Sequence, residues 1–144
     1  MSLDLNAAKT VVENNLRGKG LTVESEIKDN RLHCNVNDTT IKDYKSDVLI
    51  TVIINQNGVS TFRCVFDKIY NLEGAARAIN AFNDYSLWFK AYVGTGENPF
   101  LYVDSVCYDI SNTNVLNYWL DDMIKFLLDD KLDGYLRPIV NITQ

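Results

Sequence analysis

Histidine is almost absent from this sequence: His33 is the only imidazole in 144 residues. That scarcity excludes metal centres built on several histidines and leaves a cysteine or serine nucleophile with one distant activating base. His33 adjoins Cys34, but neighbours on a strand point to opposite faces, so the two do not form a dyad or share a metal. Cysteine is also scarce and odd in number. Cys34, Cys64 and Cys107 lie far apart, with no C-x-x-C pair, so neither a disulfide framework nor a structural zinc site is expected. At inward-alternating strand positions they read as small core hydrophobes.

Long apolar runs are missing too. The longest, Val48 to Ile54, is interrupted by Thr51 and is far too short to span a bilayer. No N-terminal basic-then-apolar segment suggests a signal peptide, and a cytoplasmic location is the expectation. Basic clusters are lacking, and the net charge is −5 with a pI near 4.7. Contact with nucleic-acid phosphates or anionic membranes is therefore not expected. Walker, EF-hand, dinucleotide and nucleophile-elbow motifs are all absent, so no cofactor is expected. Gly94-Thr95-Gly96 is too short for a phosphate loop.

What is present is ordinary globular chemistry, 47% hydrophobic and 23% charged, at a length that suits one domain over 1–144. Leu5, Ala8, Val12 and Leu16 recur at helical spacing, predicting a helix from about Asp4 to Arg17 that Gly18 and Gly20 stop. Two alternating runs follow, joined by a turn at Asp29-Asn30, then a polar loop from Asn37 to Asp47. Val48 to Ile54 is dense in β-branched residues and predicts a central strand covered on both faces. Asn57-Gly58 signals a hairpin into Val59 to Asp67, with Phe62, Cys64 and Phe66 on one face.

Asn71 caps a predicted second helix whose stripe is Leu72, Ala75, Ala76, Ile79 and Phe82, with Gly74 a weak point. Strands around Phe89 to Val93 and Phe100 to Ile110 flank a loop at Gly94 to Pro99. A last helix is predicted from Asn112 or Thr113 to about Tyr135, ended by Pro138, with Leu116, Trp119, Leu120, Met123, Leu127 and Leu128 as its apolar face. The order α-β-β-β-β-α-β-β-α, with clustered strands, predicts an α+β fold on an antiparallel sheet.

That order, with AINAFNDYSLWFKAYV (Ala78 to Val93), the alternating strand FLYVDSVCYDI and the aromatic helix after it, resembles the YbjN-type domain. Such domains are similar in fold to class I type III secretion chaperones. The likeness is best from Ala78 to about Phe126 and extends to the N-terminal half only by element order. It implies a non-enzymatic, often dimeric module that binds polypeptides, with no catalytic residues to carry over. The Gly94 to Pro99 loop is longer than a tight hairpin and richer in glycine than the family's pattern, which leaves the strand pairing there open.

The candidate binding residues are aromatic. Trp88, Tyr92, Tyr102 and Tyr108 are expected to share an outward sheet face, either as an exposed interface or as core beneath a helix. Asp121, Asp122, Asp129, Asp130 and Asp133, mixed with Lys125 and Lys131, read as a solvated helix face rather than a hydrolase pair. The expected function is a protein-binding domain, chaperone-like or adaptor-like, whose partner is another protein or a second copy in a homodimer. Two alternatives are a small-ligand protein or enzyme with a helix–sheet pocket, and an acidic mobile-element or immunity-type protein.

Overall fold

Asp4 opens the first helix chemically: its carboxylate accepts hydrogen bonds from the backbone N–H of Asn6 (3.0 Å) and Ala7 (3.2 Å). These are two of the donors a helix start leaves unpaired. The helix α1 spans Leu5–Gly18 and buries Leu5, Ala8, Val12 and Leu16, as the spacing requires. Gly20, at φ 81°, takes the left-handed turn beyond it. The structure, a computed structural model, describes residues 3–39, 48–66, 72–86, 88–94 and 100–127.

Six strands follow the expected order: β1 (Thr22–Lys28), β2 (Arg31–Thr39), β3 (Val48–Asn55), β4 (Ser60–Phe66), then after helix α2 (Leu72–Tyr85) β5 (Lys90–Val93) and β6 (Leu101–Cys107), before helix α3 (Thr113–Leu127). They form one antiparallel sheet in the order β1-β2-β3-β4-β6-β5. The α+β class and the element order are those read from the sequence. The pairing around β5 and β6 is a direct antiparallel one, with Tyr92 opposite Tyr102.

Both predicted hairpins form. Asp29 and Asn30 hold φ of 54° and 60°, the double left-handed geometry of a two-residue type I′ turn. Gly58, at φ 91°, lets the second hairpin dock on the chain after β6, where the Ile110 N–H donates to the Gly58 carbonyl at 3.1 Å. A Cβ on Gly58 would sit 2.8 Å from the Ile110 oxygen, so glycine is required there for space as well as for φ.

The three helices among the described residues pack into one core on one side of the sheet. On that side Leu32, Cys34, Val36, Ile50, Val52, Ile54, Phe62, Cys64, Phe66, Leu101 and Val103 are buried. Phe62 meets Trp119 of α3 edge-on at 6.3 Å and Phe89 at 6.0 Å, and Phe89 stacks on Phe126 at 5.1 Å. Each fully buried phenylalanine removes enough apolar area to contribute about 1.5–3 kcal/mol.

Some expectations are corrected. β3 is central, but it is covered on one face only: Ile50, Val52 and Ile54 are buried, while Leu49 on the other face is 44% exposed. Ala76 is exposed; Ala75 and Phe82 carry the buried stripe of α2, with Ala78 and Ile79 half-buried beside them. Residues 37–39, read as the start of a loop, belong to β2, which runs to Thr39 through a register shift after Val36, and residues 40–47 lie outside the described residues. The Asn71 cap, residues 95–99 of the glycine-rich loop and the predicted end of α3 near Tyr135 lie outside the described residues.

Candidate functional site

Among the described residues no helix covers the other face of the sheet, which is a set of rows defined by register. One row runs Lys90, Asp104, Arg63, Thr51, Asn35, Glu24 across β5, β6, β4, β3, β2 and β1. A second holds Tyr92, Tyr102, Val65 and Leu49; a third holds Val106, Thr61, Ile53, His33 and Glu26. None of these side chains is buried. Tyr92 and Val106 are 42% and 44% exposed, which is what a face without a covering layer looks like.

At the β4–β6–β5 end the face is rigid. Arg63 donates to Asp104 through Nε (3.0 and 3.2 Å) and a terminal nitrogen (3.0 Å), a bidentate pair. The Tyr92 hydroxyl donates to the same carboxylate at 2.6 Å and lies 3.2 Å from the Arg63 guanidinium. Tyr92 stacks on Tyr102 at 5.2 Å and 12°, and Arg63 sits over the Tyr102 ring at 5.4 Å. The Asp104 hydrogen bonds hold Arg63 yet more firmly charged, while partial burial and the bond to Asp104 push the Tyr92 hydroxyl above its usual range. Aromatic surface is thus presented in a fixed conformation with little rotamer freedom left to lose on binding.

The β5 edge is paired and the β1 edge is touched at one carbonyl. On β5 the Asn83 side chain pairs with both backbone groups of Ala91: the Ala91 N–H donates to Asn83 Oδ1 at 2.7 Å, and Asn83 Nδ2 donates to the Ala91 carbonyl at 3.0 Å. The amide stands where another strand would hydrogen-bond. Lys90 Nζ then caps the end of α2 by donating to the carbonyls of Asn83 (2.8 Å) and Ser86 (2.7 Å). On β1, Arg17 donates to the Val23 carbonyl at 3.4 Å and the Ser25 hydroxyl donates to the Glu13 carboxylate, while Glu24, Glu26 and Lys28 are exposed.

The four aromatics read from the sequence separate. Tyr92 and Tyr102 share the open face and stack. Tyr108 lies beyond the end of β6 and is 77% exposed. Trp88 does not belong with them: it precedes β5 at a bend and lines a cavity of about 530 Å³ on the helix side with Trp119, Asp122, Met123, Lys125 and Phe126. The alternation phase of a strand carries no information past the residue where the strand begins. Arg63 and Asp104 escape the sequence reading; each is a lone charge inside an apolar alternation, the pattern of charges paired across strands.

His33 is half-buried on the open face, and Cys34 is buried on the opposite one. Burial pushes the Cys34 thiol up to about 12 and the Cys64 thiol higher still, so both are inert as nucleophiles near neutrality. Cys107 is half-buried and free. Asp121 ties α3 to α1 through Lys19 Nζ (2.6 Å) and Asn15 Nδ2 (3.0 Å), which hold its carboxyl below the usual range. Asp129, Asp130 and Asp133 lie outside the described residues. Among the described residues no group of three or more His, Cys, Asp and Glu could hold a metal ion, and no helix is long and apolar enough to cross a membrane.

No family model matches the sequence, and no curated protein matches it either. Among solved structures, the fold is similar to the crystal structure of YbjN from E. coli, a protein described as a candidate transcription regulator. The likeness has a TM-score of 0.59 and 13% sequence identity, covering 92% of this chain and 94% of that one. With three helices on one side of a six-stranded antiparallel sheet, this chain therefore has a YbjN-like fold.

Proposed function

We propose that this protein is a non-enzymatic protein-binding domain, adaptor-like or chaperone-like, that acts by covering apolar surface and performs no chemistry. The observation that carries the proposal is the sheet itself: one face, which no helix among the described residues covers, presents stacked aromatic and apolar side chains, while the β5 edge is already paired. A partner strand adding to β5 would have to displace Asn83 from Ala91, and one adding to β1 would meet Arg17 on the Val23 carbonyl beside the exposed charges of Glu24, Glu26 and Lys28. Docking on the face is the favoured route, and Tyr92, Tyr102, Val65, Leu49 and Val106 supply its apolar and aromatic content.

The chemistry of the face fits a second copy of the chain. A two-fold axis along the strands, between β3 and β4, reverses the strand order and leaves each row opposite itself. Asp104 of one copy then meets Asn35 of the other, Arg63 meets Thr51, and Leu49 meets Val65. A chaperone role of the kind carried by class I type III secretion chaperones is the finer form of this proposal. A regulatory role like that ascribed to YbjN would run through protein partners, since a net charge of −5 weighs against phosphate contacts. The reading keeps the protein in a reducing, cytoplasmic compartment, where Cys34, Cys64 and Cys107 stay free thiols.

Sedimentation equilibrium tests it. The expected result is a dimer, converted to monomer by Leu49→Asp with little change in melting temperature, because Leu49 is exposed in the single chain. A wild-type monomer at the highest soluble concentration, with no crosslinked partner in native extract, would sink the proposal.

A further inference from the structure

The cavity beside α3 lies on the far side of the sheet from the open face, and its lining is chemically mixed in a way that core packing does not require. About 530 Å³ is bounded by Trp88, Trp119, Asp122, Met123, Lys125 and Phe126, a size within the usual range of small-molecule sites. Among the described lining residues three are aromatic, and two of those walls are fixed from behind. Trp119 is 9% exposed and meets Phe62 edge-on, and Phe126 stacks on Phe89, whose own N–H is held by the Ser86 hydroxyl at 2.9 Å. Trp88 completes the wall while remaining 66% exposed, a large aromatic surface at the mouth of a cavity rather than in the core.

Among the described lining residues there is one carboxylate and one ammonium. Asp122 and Lys125 are three residues apart on α3, a spacing at which opposite charges commonly pair, yet among the described residues neither makes an ion pair. Both remain exposed and available. Flat apolar walls select a planar ring; a free anion and a free cation beside them select a ligand that carries both charges next to that ring.

We propose that this cavity binds a free aromatic α-amino acid, its ring among Trp88, Trp119 and Phe126, its ammonium on Asp122 and its carboxylate on Lys125. A residue within a peptide brings at most one of the two charges and so fits less well. This site is independent of the face proposed above for protein partners.

The sequence provides its own reporters, because both of its tryptophans, Trp88 and Trp119, line this cavity. L-phenylalanine and L-tyrosine bring no indole, so two indole N–H signals in a ¹⁵N-labelled protein report directly on the site. Titration is expected to move both signals saturably. N-acetyl-phenylalanine and phenylalanine amide, each lacking one charge, are expected to bind roughly tenfold more weakly, which corresponds to about 1.4 kcal/mol. Trp88→Ala, an exposed substitution that leaves the core intact, is expected to abolish the shift of the Trp119 signal. Asp122→Asn should remove the advantage of the free amine, and Lys125→Met that of the free carboxylate. The proposal is overturned if neither indole moves with either amino acid, if the blocked compounds bind as well as the zwitterions, or if Trp88→Ala binds unchanged.

Discussion

Removing the Asp104 carboxylate should expose how far the open face is held by its polar cluster. Asp104 accepts three contacts from Arg63 at 3.0–3.2 Å and one from the Tyr92 hydroxyl at 2.6 Å. Its side chain is 13% exposed, whereas that of Arg63 is 36% exposed. Breaking a fully buried pair costs about 3–5 kcal/mol and an exposed one about 0–1 kcal/mol. Arg63 can recover part of its hydration, so Asp104→Ala is expected to cost about 2 kcal/mol, between those limits. For a chain of this size that lowers the melting temperature by roughly 6–8 °C. Tyr92→Phe removes one hydrogen bond to a charged acceptor from a residue 42% exposed, and about 1 kcal/mol is expected. The two losses should not add, since the Tyr92 hydroxyl and Asp104 are each other's partners, and a double-mutant cycle should return a coupling of about 1 kcal/mol.

The pH dependence is an independent check. The Tyr92 hydroxyl is raised in the folded protein, by partial burial first and by its bond to Asp104 second. Its contribution is therefore full below the unfolded tyrosine value of about 10 and is lost as pH rises through the higher folded value. Urea unfolding of wild type and Tyr92→Phe should differ by a constant amount near neutrality and converge in strong alkali. Strictly additive losses, or a difference that survives at high pH, would refute the cluster as drawn.

Gly58→Ala puts a Cβ 2.8 Å from the Ile110 oxygen at a φ of 91°, and a loss of about 2–4 kcal/mol is expected by thermal denaturation. Asn83→Ala frees both backbone groups of Ala91, so β5 amides should lose hydrogen-exchange protection before β3 amides do, with a stability loss of about 1–2 kcal/mol. Glu13 is lowered chiefly by the Ser25 hydroxyl, with Arg17 and Lys9 adding to it against a desolvation cost. Its stabilisation is present above the ordinary glutamate value and lost as pH falls through the lowered one, so urea midpoints of wild type and Glu13→Gln should converge in acid.

The order of elements is legible because local chemistry dictates it. Asp4 caps a helix with its apolar residues at 5, 8, 12 and 16, and Asp29-Asn30 and Asn57-Gly58 turn the chain where they stand. Phe62, Cys64 and Phe66 alternate into the core as any half-buried strand must. Which layer covers which face is not legible. Leu49, Thr51 and Ile53 read the same whether a helix lies over them or water does, because a β-branched run satisfies either environment.

The candidate site divides along the same line. Tyr92 and Tyr102 can be assigned to one face by period, but their stacking depends on the register that sets them opposite each other across β5 and β6. Arg63 and Asp104 are 41 residues apart, and nothing nearby in the chain announces that β4 will lie beside β6. Trp88 has the parity of the sheet aromatics, yet a bend before Lys90 sends it to the cavity at α3. Local propensity and side-chain period belong to the sequence itself, since they act over a few residues. Face, edge and pocket were decided by tertiary packing, because they depend on which distant strands the chain takes as neighbours.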